Sequence, residues 1–135
     1  MKVKNEVPPN YDKLKKVFKI EENVMFTYGD TIYNPFNCYI DPMVVKHEEV
    51  HSRQQGDKPD EWWDRYLVDV SFRFTQELEA YQHQFRAIKE KFKDRNTQTR
   101  MLDTLARDLS STNYGDMCSY NEAYMSIKDN IKFKI

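Results

Sequence analysis

His47-Glu48-Glu49-Val50-His51 is the stretch of this chain whose residue types and spacing can do chemistry. One helical turn separates the two histidines, so both imidazoles leave the same face of a helix and can chelate one cation. Glu48 sits beside that face, where its carboxylate can reach a metal-bound water as a general base. Imidazole pairs favour Zn2+, with Co2+, Ni2+ and Fe2+ also compatible with the donors. The chain has only three histidines, and two of them stand here, so a surface helix with incidental histidines is the weaker reading.

Zinc needs a third protein ligand, and Gln76-Glu77-Leu78-Glu79-Ala80 offers two. Leu67, Val70, Phe74, Leu78, Tyr81, Phe85, Ile88 and Phe92 form an apolar stripe at helical spacing. At 100° per residue Glu77 lies about 60° from the centre of that stripe and Glu79 about 140°. Glu77 therefore borders the buried face and is the expected ligand, with Glu79 in reserve. His83 falls about 180° away and reads as a surface residue.

The elements that must position these groups follow from local signals. Asp41-Pro42 is an N-cap followed by a first-turn proline, opening a helix over Met43–Gln55 that ends at Gly56. Asp60 then caps a gap-free run from Glu61 to Lys93. His51 lies about 7.5 Å before Gly56 along its helix, and Glu77 about 25 Å after Asp60. A straight antiparallel return would overshoot the histidines by about 17 Å, so the chain must bend or break between Glu61 and Gln76. The weak helix formers at Val68–Phe72 mark the place.

Upstream, Asn10 is a plausible N-cap for a helix carrying Tyr11, Leu14 and Phe18. Val24–Tyr28 and Thr31–Tyr33 flank Gly29-Asp30, a type II′ hairpin turn that sets Phe26 opposite Tyr33 and Tyr28 opposite Thr31. Such a strand either pairs with an extended peptide or simply covers the core. Downstream, Asn96 or Thr97 restarts a helix bearing Leu102, Leu105 and Leu109, which Tyr114-Gly115 breaks. Ser119-Tyr120-Asn121-Glu122 is a capping-box pattern before a last helix. The layout is a small ribbon with about five helices, mostly α within an α+β class.

Composition bounds the function. The 135 residues suit one domain, 1–135, and 39% hydrophobic with 32% charged residues is a globular balance. Lys+Arg 21 against Asp+Glu 22 leaves a net charge of −1, which argues against nucleic acid as a partner. Lys13, Lys15, Lys16 and Lys19 read as a solvated helix face. No apolar run reaches the ~18 residues of a membrane span, and no secretory h-region opens the chain. Cys38 and Cys118 read as reduced thiols of a cytoplasmic protein. Cys38 precedes the histidine helix but is better explained as a buried thiol than as a ligand. Trp62-Trp63 reads as one buried and one half-buried packing residue.

His47-Glu48-x-x-His51 with the later Glu77-x-x-Ala80 resembles the gluzincin branch of the zincin metallopeptidases. It is most similar to the minigluzincins and to short zincin-like proteins of phage genomes, over roughly Val24 to Ala80. The resemblance implies Zn2+ on His47, His51 and Glu77, with Glu48 activating water against a peptide or protein amide bond. It implies a small sheet, an active-site helix and a second helix presenting the glutamate. Related enzymes usually carry an Asp one residue after that Ala, where it orients a zinc histidine; here Tyr81 stands there, so its hydroxyl or another group must substitute. Tyr114, Tyr120 and Tyr124 are candidate transition-state stabilisers by residue type alone, and packing is the simpler role for each. The alternative is a non-catalytic zincin-like structural or interaction module, such as a phage virion component.

Overall fold

The computed structural model describes residues 1–111 and 116–130. The chain forms two compact units, Met1–Val68 and Asp69–Ile135. The first holds β1 (Lys2–Lys4), α1 (Tyr11–Val17), β2 (Phe26–Tyr28), β3 (Thr31–Tyr33), α2 (Pro42–Gln55) and α3 (Pro59–Val68). The second holds α4 (Val70–Lys91), α5 (Arg95–Leu109) and α6 (Tyr120–Lys128). Among the described residues, six helices and one open three-stranded sheet make an α+β fold, mostly helical, that matches a minimal zincin-like domain. No helix among the described residues is long and apolar enough to cross a membrane.

The hairpin has the expected register, Phe26 opposite Tyr33 and Tyr28 opposite Thr31. Gly29 supplies the positive φ of 63° that its turn requires. The sequence reading misses β1, which pairs parallel to β3 and makes β3 the central strand. Its three residues are all exposed, so no buried alternation announces it. Asn10 takes the N-cap position of α1, but its φ of −99° and ψ of 22° leave the side chain without a capping bond.

The histidine helix starts and stops as its sequence dictates. Asp41 Oδ1 accepts the Met43 amide at 2.7 Å, Pro42 fills the first turn, and Gly56 ends the helix at φ 56°. Pro59 opens α3, which places Asp60 inside its first turn rather than at the cap. Trp62 and Trp63 are both buried, correcting the expectation of one half-buried ring. They pack edge to face with each other at 5.0 Å, and Trp62 stacks on Tyr66 at 4.8 Å.

The expected break falls at Asp69. Its φ of −109° and ψ of 97° are not helical, and its carboxylate accepts the Phe72 amide at 3.0 Å. The cause is a cap, which satisfies a helix-end N–H that would otherwise be orphaned, rather than low propensity alone. On α4 the stripe from Phe74 through Ile88 is buried, while Leu67, Val70 and Phe92 at its ends are only half-buried. Asp94, not Asn96 or Thr97, caps α5. That helix ends at Leu109, and the predicted Tyr114-Gly115 break lies outside the described residues. Ser119 and Glu122 form the full capping box of α6. Gln82 Nε2 donates to the Ser126 carbonyl at 3.0 Å, tying α4 to α6.

Candidate metal centre

His47 and His51 lie on the buried face of α2 with Met43 and Val50, only 6% and 5% exposed. Their Nε2 atoms are 3.1 Å apart. Two nitrogens bound tetrahedrally to zinc at about 2.05 Å sit about 3.3 Å apart, so the pair is already at chelating separation. Gln54 Oε1 stands 2.8 Å from His51 Nδ1. Accepting the Nδ1–H fixes the tautomer that leaves the Nε2 lone pair for a metal. Trp62 packs on the same imidazole at 5.4 Å between ring centroids, restricting its rotation.

Glu48 is half-buried beside the pair. Its Oε2 accepts the Thr27 hydroxyl at 2.5 Å, within the range of a charge-assisted O–H···O⁻ bond. Thr27 is itself held: its carbonyl accepts Gln55 Nε2 at 2.8 Å and Trp63 Nε1 at 2.9 Å. Gln55 Oε1 accepts the Gly29 amide at 2.7 Å, so one side chain spans the turn and the strand. The outward carbonyl of Thr27 is therefore spent, and the hairpin covers the core there instead of offering that acceptor to a peptide. Tyr28 donates to Asp60 at 2.8 Å; burial first, and this bond second, raise its phenol above the ordinary value.

Glu77 is buried on α4, 4% exposed, and Glu79 is exposed, as the helical phasing requires. Ligand atoms of His47, His51 and Glu77 lie within 4.8 Å of one another. Two imidazoles and a carboxylate, all buried, are a donor set suited to Zn2+. With the adjacent Glu48, this buried His-Glu-x-x-His and distal Glu match the zincin arrangement. They support a metal-activated hydrolytic mechanism of the metallopeptidase kind.

His83 is half-buried rather than on the surface. Cys38 is half-buried and directs its thiol at the Glu22 carbonyl, 3.4 Å away. Tyr120 donates its hydroxyl to Asp103 at 2.5 Å, and that bond holds its phenol above the ordinary value. Tyr124 packs on Tyr120 at 6.0 Å, and Tyr114 lies outside the described residues. Sequence reasoning missed Thr27, Gln54 and Gln55. Gln54 follows His51 by an i,i+3 step, a spacing that could have found it; nothing local marks Thr27. Compared with protein-family models, curated proteins and solved structures, the chain finds no significant match.

Proposed function

We propose that the chain is a zinc-dependent metallopeptidase of the zincin type, acting as one domain over residues 1–135 on peptide or protein amide bonds. His47 and His51 would hold the metal through their imidazoles and Glu77 through its carboxylate, with Glu48 as the general base. When bound, zinc supplies Lewis acidity, lowering the pKa of water and polarising a carbonyl oxygen. The chain's own residues supply the rest. Gln54 keeps His51 in the ligating tautomer, and the burial of all three ligands limits competition from bulk water. Glu48 takes a proton from the attacking water and returns it to the departing amine nitrogen. The free thiols of Cys38 and Cys118 suit a reducing compartment such as the cytoplasm.

The observation that carries this reading is the convergence of three buried ligand side chains with a carboxylate one residue from the first of them. The test is metal analysis of protein purified without a histidine tag, followed by a diverse peptide library. One zinc per chain with cleavage that a chelator abolishes is the expected result. Protein that takes up no zinc when supplied with it would overturn the reading.

A further inference from the structure

We propose that Thr27 is the positioning residue of the general base, an inference that rests on reading Glu48 as that base. Thr27 is the middle residue of β2, 2% exposed, opposite the fully buried Ile32. Its hydroxyl donates to Glu48 Oε2, and the Glu48 carboxylate has no other hydrogen bond among the described residues. One carboxylate oxygen is thus tied down while Oε1 is left to exchange protons. A glutamate side chain has three rotatable bonds, and an untethered carboxylate samples many orientations. Threonine is suited to restraining it because its β-branch leaves few χ1 choices. The backbone beneath is fixed as well, since Gln55 and Trp63 occupy both lone pairs of the Thr27 carbonyl. Hairpin, metal helix and α3 therefore converge on the direction of one hydroxyl.

A structural role alone would be served equally by valine, which matches threonine in shape and strand preference. Thr27→Val is expected to retain one zinc per chain and a KM within about twofold. Its kcat should fall about tenfold to a hundredfold, the loss of one hydrogen bond to a charged group read as a rate. Thr27→Ser restores the hydroxyl without the branch and should recover most of that loss. Wild-type kcat in zinc-loaded Thr27→Val overturns the proposal, as does a loss that serine does not rescue. A second readout needs neither turnover nor a folded valine variant. The Thr27 hydroxyl proton, followed by NMR in wild-type protein, should exchange slowly, and exchange should quicken in Glu48→Ala. Fast exchange in an active wild type overturns the positioning role alone. Slow, Glu48-dependent exchange in a protein that cleaves nothing supports the hydrogen bond and overturns the peptidase reading instead.

Discussion

Gln54 and His51, one turn apart on α2, are joined by a 2.8 Å contact between the amide oxygen and Nδ1. The gluzincins that the motif resembles usually use an acidic residue to orient a zinc histidine, and this chain has Tyr81 where that acid would stand. A neutral amide acceptor fixes the tautomer as well as a carboxylate does, but it raises ligand basicity less. Gln54→Leu should therefore weaken zinc binding about tenfold to a hundredfold without unfolding the protein. Gln54→Glu should tighten it. Competition with a chromophoric chelator measures both, and unchanged affinity in the leucine variant would remove Gln54 from the site.

His51→Ala should abolish tight zinc binding, because two remaining ligands rarely hold zinc against a chelator. Glu77→Gln should weaken it strongly, whereas Glu79→Gln, on the exposed side of α4, should barely matter. Damage concentrated at Glu79 would mean that the helical phasing does not describe the loaded site. Acidification should release the metal from wild type, since each ligand must give up its proton to bind.

Glu48 is not a ligand in this scheme, so Glu48→Gln should fold, keep one zinc per chain and lose turnover by several orders of magnitude. The rival reading, a zincin-like structural or interaction module, predicts that wild type cleaves nothing across a diverse peptide library. Peptidase activity surviving Glu48→Gln unchanged would sink the mechanism even with zinc on His47, His51 and Glu77.

Asp94 gives a prediction about stability and pH. The Thr97 hydroxyl first, and the Thr97 amide second, hold its carboxyl below the ordinary value. A carboxyl depressed in the folded state adds stability that is present above its unfolded pKa and is lost as pH falls through the folded one. The melting temperature of wild type should thus exceed that of Asp94→Ala at neutral pH. The gap should narrow on acidification through and below the ordinary carboxylate range. A gap independent of pH would show that the cap contributes nothing through its charge.

Features set within a few residues were legible in the chain itself. The Asp41-Pro42 start and Gly56 stop of α2 depend on which side chain can meet a helix-end N–H and which residue accepts positive φ. The shared face of His47 and His51 depends only on helix pitch, and the hairpin register follows from a two-residue turn. Even the interruption before Glu77 could be deduced, because rise per residue and the reach of a metal ion are both fixed lengths. Its agent, the Asp69 cap, was not identified. Tertiary structure decided the rest: that Lys2–Lys4 would find β3, that Thr27 would meet Glu48, and that Gln55 and Trp63 would spend the Thr27 carbonyl. Those partners lie far apart along the chain, and hydrogen bonds between distant segments leave no periodic mark in either one. They exist only once burial of the apolar faces has brought the segments together, where polar groups cut off from water must find each other.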